Sequence, residues 1–176
     1  KNKFKLIHNG FDKKIYLPKK NYVKKNFNLR NHQVIIGCVA RFHAVKNHDY
    51  LLSIFSKIKD IPNIRLVLIG TKMDENNLAL MEKIKKYNIQ DKVKLLGKRN
   101  DVFYIYKLFD IFILTSLSEG FPNVLAEAMI NKNICLSTNV GDTKAIINNN
   151  KFIIPKNDIK KSAEMLKKLI KKKNSK

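Results

Sequence analysis

The sequence predicts an α/β fold in which a Rossmann-like, doubly wound parallel sheet of about six strands carries helices on both faces. Two observations lead to this prediction. Short apolar runs rich in β-branched residues alternate along the chain with segments whose apolar residues recur at helical spacing. The runs also lack the polar alternation of a half-exposed strand, which indicates strands buried on both faces.

The first predicted strand covers residues 34–40, Val-Ile-Ile-Gly-Cys-Val-Ala. Asn47 can then cap a helix whose apolar positions, from Tyr50 to Ile58, lie at helical spacing. The alternation continues with predicted strands at 65–69, 93–96, 111–114, 134–137 and 152–154, and predicted helices at 76–87, 102–108, 122–131 and 158–171. Six strands separated by helices predict one open parallel sheet.

Four of the six glycines lie in the turns and loops that come just after predicted strands: Gly70, Gly97, Gly120 and Gly141. In a parallel sheet these turns share the carboxyl edge, where the missing Cβ lets a ligand approach the backbone. Glycine is also common in strand-to-helix turns for conformational reasons alone. Both interpretations stay open at the level of the sequence.

Composition narrows the class of protein further. The chain has 176 residues, of which 44% are hydrophobic, enough for the core of one domain. Its 36 Lys and Arg against 14 Asp and Glu give a net charge of +22, but the lysines are spread along the whole chain. No zinc-finger spacing or aromatic-interleaved basic motif accompanies them, so we expect no nucleic-acid partner. The basic surface is either a compositional feature or a contact with anionic membrane.

Targeting and cysteine usage indicate a cytoplasmic protein, or one at the inner face of the cytoplasmic membrane. No apolar stretch reaches the roughly 18 residues of a membrane span, and the start lacks a signal peptide. Cys38 and Cys135 lie in apolar runs and are predicted to be reduced core residues.

The chain starts without Met, so we expect it to be a piece of a longer protein. We expect residues 1–31 to be a hinge or entry segment from a missing N-terminal domain, residues 32–171 to be the folded domain, and residues 172–176 to be a disordered basic tail.

The loop after the strand at 111–114 leads into a helix and carries the first chemical signal. Pro122 suits the first turn of that helix, because its missing N–H is not needed there. The N-terminus of the helix then offers backbone N–H groups to an anion. Two carboxylates, Glu119 and Glu127, flank it. Glu127 is either a solvated helix residue or, given its apolar neighbours, a partly buried carboxylate that needs a partner.

Two cations follow the first strand at the same predicted edge of the sheet. Arg41 presents a planar fork to phosphate oxygens and Lys46 a point charge, a combination that suits a diphosphate. Each residue alone is often a plain surface residue, but beside an anion-binding helix they suggest a nucleoside diphosphate. His43 and His48 are predicted to be local surface or capping residues.

These motifs together resemble the C-terminal, donor-binding half of the retaining glycosyltransferases of family four, which have the GT-B fold. The resemblance rests on Arg-x4-Lys at 41–46, on the turn Gly97-Lys98-Arg99, and on the E-x7-E motif at 119–127. Residues 7–12, Ile-His-Asn-Gly-Phe-Asp, resemble the hinge by which that family enters its second domain. The chain departs from the pattern twice: Lys46-Asn47 stands where many members have Lys-Gly, and residues 141–143, Gly-Asp-Thr, stand where many have Gly-Gly.

The resemblance implies a domain that binds a nucleotide-sugar, usually a UDP-sugar. The retaining enzyme would transfer a hexose or N-acetylhexosamine to a glycan or lipid-linked acceptor in bacterial polysaccharide synthesis. The acceptor would be held by the missing N-terminal domain, so we expect this fragment to be inactive alone. No cofactor and no metal are expected, because the fixed cations replace a divalent ion and the sequence has no D-x-D motif or His/Cys cluster.

The same resemblance assigns roles to single residues. Arg41 and Lys46 would hold the diphosphate and stabilise the leaving group, Glu119 would bind the transferred sugar, and these three form the predicted catalytic set. Glu127 would bind the ribose hydroxyls. The remaining predicted donor-binding residues are Lys98 and Arg99 beside the base, and Gly120, Phe121, Pro122, Asn123 and Val124 along the sugar and distal phosphate, where Pro122 has no N–H to donate.

Two other classes remain as alternatives: an epimerase or phosphorylase of the GT-B type, and a non-catalytic nucleotide-binding module. The E-x7-E spacing favours a transferase. A dinucleotide-binding Rossmann domain is disfavoured, because no G-x-G-x-x-G follows any predicted strand.

Overall fold

The protein is described by a computed structural model that covers residue 10 and residues 22–174. Within these residues six parallel strands form one sheet in the order β3-β2-β1-β4-β5-β6. The strands are β1 Val34–Val39, β2 Ile64–Ile69, β3 Val93–Leu95, β4 Ile111–Leu114, β5 Ile134–Thr138 and β6 Ile153–Ile154. The predicted doubly wound sheet is confirmed. Its strand order reverses between β1 and β4, which opens a crevice at the carboxyl ends of these two strands.

Six α-helices accompany the sheet in the described part of the chain: α1 His48–Ser56, α2 Leu78–Lys86, α3 Val102–Ile105, α4 Asn123–Ile130, α5 Thr143–Ile147 and α6 Ile159–Asn174. Helix α5 was not predicted, since five residues are too few to show a helical period. Helix α4 begins one residue later than predicted, and Pro122 stands at its N-cap in an extended conformation.

The apolar core has two layers, one on each face of the sheet. Successive residues of β1 alternate between them: Ile36 and Cys38 belong to the layer under α1, α2 and α6, while Ile35 and Val39 belong to the layer under α3, α4 and α5. Because both faces of the sheet are covered, successive strand residues are all buried, which explains why the strand sequences are unbroken apolar runs. Cys38 and Cys135 are buried free thiols, as predicted, and burial raises the pKa of each to about 12.

Both predicted ends of the domain differ from the structure. Phe27 and Leu29 are buried in the second core layer, so residues 22–31 pack with the domain that was predicted to begin at residue 32. Helix α6 continues into the predicted tail, since lysine is a good helix former and cations are favourable near a helix C-terminus. Lys173 Nζ lies 3.0 Å from Asp110 Oδ1. Apart from Gly10, the predicted hinge at 7–12 lies outside the described residues.

Three of the four post-strand glycines have a positive φ; Gly97, at +64°, is one of them, and at the other two a Cβ would also overlap backbone. Gly70 has a φ of +145°, and a Cβ there would overlap the carbonyl oxygen of Ala40. Gly141 has a φ of +47°, and a Cβ there would overlap the carbonyl oxygen of Gly120. Gly120 itself has open space around its Cα and no such backbone requirement. The conformational interpretation therefore holds for Gly70, Gly97 and Gly141, and a ligand-approach role stays a prediction for Gly120.

We predict that Gly70→Ala lowers the free energy of unfolding by about 1–3 kcal/mol, because the new methyl group meets backbone and the φ is strained for an L-residue. Urea unfolding followed by circular dichroism measures the change. Gly120→Ala is the matched control and should be nearly neutral. Equal stability of Gly70→Ala and the unmodified chain would contradict the prediction.

Candidate functional site

The crevice between β1 and β4 is bordered by two loops, residues 40–47 after β1 and residues 115–122 after β4. We call them the crevice loops. The Leu117 N–H donates to the Val45 carbonyl at 2.8 Å, and Thr115 Oγ1 lies 3.2 Å from the carbonyl oxygens of both Lys46 and Asn47. These hydrogen bonds hold the two crevice loops together as one unit.

Asn47 ends the first crevice loop in a left-handed conformation, with φ 50° and ψ 51°. Its side-chain oxygen accepts a hydrogen bond from the Tyr50 N–H at 3.4 Å, so the predicted helix cap is confirmed. Asparagine tolerates this conformation better than most residues other than glycine. The departure from Lys-Gly is therefore compatible with a backbone path that suits glycine.

Lys46 and Glu119 form an ion pair across the crevice loops, with Lys46 Nζ 2.6 Å from Glu119 Oε1. Both side chains are largely buried, with 20% and 12% of their surfaces exposed. Ser116 is fully buried and donates its hydroxyl to the same Oε1 at 2.6 Å. The sequence predicted separate roles for Lys46 and Glu119, and the structure brings them together. Ser116 was missed, because nothing local marks it as a partner of Glu119.

Arg41 is placed differently from Lys46. Its side chain is exposed at the carboxyl end of β1 and makes no hydrogen bond or ion pair with the described residues. A guanidinium in this state retains all its donors for a bidentate anion such as a phosphate. Of the two predicted cations, Lys46 is therefore already paired and Arg41 is exposed.

Glu127 lies on α4 and is half-buried, as its apolar neighbours suggested. The Tyr106 hydroxyl donates to Glu127 Oε2 at 3.0 Å, so the carboxylate has the partner that its burial requires. Burial raises the pKa of Glu127, and the hydrogen bond from Tyr106 partly offsets that rise. Tyr106 was not predicted as part of the site, because it stands 21 residues away on another element.

The N-terminus of α4 faces the crevice beside Glu119. The helix begins at Asn123, and the backbone N–H groups of its first turn point towards its N-terminal end. Gly141 packs against the loop that precedes them, and the Asp142 N–H donates to the Gly120 carbonyl at 3.0 Å. Residues 141–143, where the chain departs from the family pattern, therefore pack against the Glu119-Gly120 loop and hold it in place.

The turn predicted to border the base lies at the end of β3, which is separated from β1 by β2. Arg99 forms a two-pronged ion pair with Asp101, at 2.7 Å for each bond, and its guanidinium lies 5.4 Å from the Phe27 ring centroid. This pairing lowers the pKa of Asp101 to about 2. Lys98 is exposed. The role of Lys98 and Arg99 beside a base stays a prediction. Arg99 would contact the base while its guanidinium is paired with Asp101.

The two histidines near the crevice differ from each other. His43 Nδ1 accepts a hydrogen bond from the Val45 N–H at 3.3 Å, a local capping role as predicted. The surface prediction for His48 is wrong: the residue is 3% exposed and stacks on Phe42, because it lies at the start of α1 against the core. Neither ring nitrogen of His48 has a hydrogen-bond partner among the described residues. Burial, reinforced by the charge of Lys46, lowers the pKa of His48 to about 4.

Within residue 10 and residues 22–174, no group of three His, Cys, Asp or Glu side chains is placed to hold a metal ion. No described helix combines the length and apolar composition needed to cross a membrane.

The six-stranded parallel sheet, with the Lys46–Glu119 pair where its strand order reverses, is a Rossmann-like α/β domain of the kind that GT-B glycosyltransferases contain. The model of the family "Glycosyl transferases group 1" matches residues 19–176, and the chain belongs to that family.

Individual relatives are consistent with this assignment. The chain is 27% identical over 142 residues to N-acetyl-alpha-D-glucosaminyl L-malate synthase of Bacillus anthracis, with 80% of this chain and 37% of the relative covered. It is 29% identical over 165 residues to UDP-Gal:alpha-D-GlcNAc-diphosphoundecaprenol alpha-1,3-galactosyltransferase of Escherichia coli, with 89% and 42% covered. The chain therefore spans about two fifths of the length of these relatives.

Solved structures show the same fold. The crystal structure of HepE of Anabaena in complex with UDP-glucose superposes with a TM-score of 0.82 at 21% identity. The match covers 96% of this chain and 48% of HepE.

His48 is buried and its ring nitrogens have no hydrogen-bond partner among the described residues, which predicts an acid-sensitive fold. Its pKa in the folded chain is lowered from 6.5 to about 4, so the unfolded chain binds the extra proton first as the pH falls. This contribution to stability is present above about pH 6.5 and is lost towards pH 4, on the order of 3 kcal/mol in total.

We expect His48→Leu to flatten the decline of stability between pH 6.5 and pH 4, measured by urea unfolding at each pH. His32→Gln, at an exposed position, is the control and should keep the original pH dependence. An unchanged slope in His48→Leu would rule out His48 as its source.

Proposed function

We propose that this chain is the nucleotide-sugar-binding domain of a retaining glycosyltransferase that uses a UDP-sugar as donor. The observation that carries the proposal is the Lys46–Glu119 ion pair in the crevice, beside the exposed Arg41 and the N-terminus of α4. The names of two similar proteins support it: HepE was solved with UDP-glucose, and the E. coli relative is named for a UDP-Gal donor.

In this proposal the cations stabilise the leaving diphosphate. Negative charge grows on the diphosphate as the bond to the sugar breaks, and donors that are already in place lower the barrier without reorganising. Arg41 supplies an exposed fork. Lys46 has three N–H donors, so its ammonium group can bind a phosphate oxygen while it keeps its hydrogen bond to Glu119. We propose that these two cations make a divalent metal unnecessary.

Glu119 and Glu127 would hold the two ends of the donor. Oε1 of Glu119 already accepts hydrogen bonds from Lys46 and Ser116, which leaves Oε2 for the hydroxyls of the transferred hexose or N-acetylhexosamine. Oε2 of Glu127 is bound by Tyr106, which leaves Oε1 for the ribose hydroxyls. Each carboxylate is thus oriented by the protein before the donor arrives.

The acceptor side of the reaction would lie outside this chain. The chain covers about two fifths of its relatives, so we propose that the acceptor site belongs to the rest of the enzyme and that this domain alone transfers no sugar at a useful rate. The E. coli relative is named for a diphosphoundecaprenol-linked acceptor. A lipid-linked or glycan acceptor in polysaccharide synthesis is the corresponding proposal here.

A lipid-linked acceptor would place the domain near a membrane. The exposed side of α6 carries Lys160, Lys161, Lys167 and Lys168, opposite the buried Ala163, Leu166 and Ile170. Lysines near an anionic bilayer contribute roughly 1 kcal/mol each to binding. We propose that this face of α6 contacts the anionic inner surface of the cytoplasmic membrane.

We expect Glu127→Ala to weaken binding of both UDP and UDP-glucose, because it removes the ribose contacts. Glu119→Gln keeps an oxygen that can accept hydrogen bonds from Lys46 and Ser116, so it should keep UDP affinity and reduce only the additional affinity that the sugar gives to UDP-glucose. A charge-assisted hydrogen bond is worth about 1.5–3 kcal/mol, which corresponds to roughly tenfold to a hundredfold in affinity. Isothermal titration calorimetry with each ligand measures these changes.

Glu164→Ala, at an exposed position on α6, is the control for loss of a negative charge. Identical UDP affinities for the unmodified chain and Glu127→Ala would remove the ribose role. The same titrations with EDTA test the metal-free proposal, which fails if UDP binding disappears with EDTA and returns with Mg²⁺ or Mn²⁺.

The membrane proposal predicts binding to vesicles that contain anionic phospholipid, weakened by high salt. Replacing Lys160, Lys161, Lys167 and Lys168 by Gln should abolish most of it in a co-sedimentation assay. The charge-matched control replaces four other exposed lysines, Lys85, Lys107, Lys144 and Lys151, by Gln and should bind nearly as before. Equal losses in both variants would assign the effect to net charge and contradict a specific α6 surface.

A further inference from the structure

We propose that Tyr106 is a positioning residue for Glu127: its hydroxyl holds one carboxylate oxygen so that the other is presented to the ribose of the donor. The inference rests on the proposed function, in which Glu127 binds the ribose hydroxyls. It is carried by the 3.0 Å hydrogen bond from the Tyr106 hydroxyl to Glu127 Oε2, which joins two elements on the same side of the sheet.

Tyr106 is rigidly held in the core. Its side chain has no exposed surface, and its ring makes edge or tilted contacts with Phe103, Phe109 and Phe112 at centroid distances of 5.8–6.4 Å. Asn133 fixes the backbone of the same turn, since its Nδ2 donates to the carbonyls of Tyr106 and Phe109 at 2.9 Å each. The hydroxyl is therefore a donor at a fixed point.

Glu127 needs such a fixed donor more than a surface glutamate does. Its side chain has several rotatable bonds, and ordering a side chain of this kind on ligand binding costs entropy. In the described structure Tyr106 supplies the hydrogen bond to its carboxylate, and Oε1 has no partner among the described residues. A carboxylate that is held at one oxygen loses less entropy when the second oxygen binds a hydroxyl.

The pair also has a pH dependence that a purely structural tyrosine would lack. Burial raises the pKa of Glu127, while the hydrogen bond from Tyr106 lowers it. The thiol of Cys135 lies in the same core layer as the pair and that of Cys38 lies on the other face of the sheet, and burial keeps both thiols protonated, as it does Tyr106. Without the Tyr106 hydroxyl the effect of burial is unopposed, so Glu127 takes up a proton at a higher pH.

The test uses four forms of this chain: unmodified, Tyr106→Phe, Glu127→Ala and the double variant. We expect Tyr106→Phe to weaken UDP binding about two- to tenfold near neutral pH and to move the acidic loss of binding to higher pH. In the Glu127→Ala background, Tyr106→Phe should have no further effect on affinity. Tyr50→Phe is the matched control, because it removes a buried hydroxyl that donates to the Pro155 carbonyl, and it should change neither quantity.

A second experiment measures the pKa of the Glu127 carboxyl group directly. A carbon-13 NMR titration of its carboxyl group should show a higher pKa in Tyr106→Phe than in the unmodified chain, and thermal unfolding checks that the variant is folded.

The outcomes separate the two proposals. If Glu127→Ala leaves UDP affinity unchanged, the ribose role in the proposed function fails. If Glu127→Ala weakens binding but Tyr106→Phe keeps the original affinity, pH profile and Glu127 pKa, the positioning role is overturned and the ribose role stands. A loss of affinity from Tyr106→Phe that persists in the Glu127→Ala background also overturns it, since the effect would then not pass through Glu127.

Discussion

The ion pair between Lys46 and Glu119 joins the two halves of the sheet where the strand order reverses, and the rest of the site depends on it. Both charges are largely buried, so each would be costly without the other. The pair holds the loop after β1 against the loop after β4, together with the hydrogen bonds of Thr115 and Leu117. A cation and a carboxylate are thereby placed at the start of α4.

The second carboxylate is held in a different way. Glu127 has no cation beside it among the described residues and is paired with the neutral hydroxyl of Tyr106, so burial raises its pKa and only the hydrogen bond opposes that rise. The site thus combines a charge-compensated glutamate in the loop with a half-buried one on the helix. Since both have one oxygen occupied by a donor, each presents a defined acceptor to a ligand.

Backbone requirements explain why the two departures from the family pattern are compatible with the fold. Asn47 occupies a left-handed position that glycine also suits, and its side chain adds a cap to α1. A side chain at Gly141 would overlap the backbone of the Glu119-Gly120 loop, so glycine is needed there. Asp142 donates its backbone N–H to the Gly120 carbonyl, and any residue except proline could do the same. Asn47 and Asp142 therefore meet the backbone requirements of positions where many members of the family have glycine.

The sequence by itself determined the parallel sheet, the helix cap at Asn47, the buried thiols and the family, because each depends on local spacing or on motifs within a few residues. It missed the short helix α5, the burial of His48 and the packing of residues 22–31. It also did not predict the pairing of Lys46 with Glu119, 73 residues apart, or of Tyr106 with Glu127. The spacing of apolar residues along the sequence indicates whether a position is buried, but not which distant residue it contacts. Only the tertiary structure decided those partners, since they come from strands and helices that meet after the sheet has assembled.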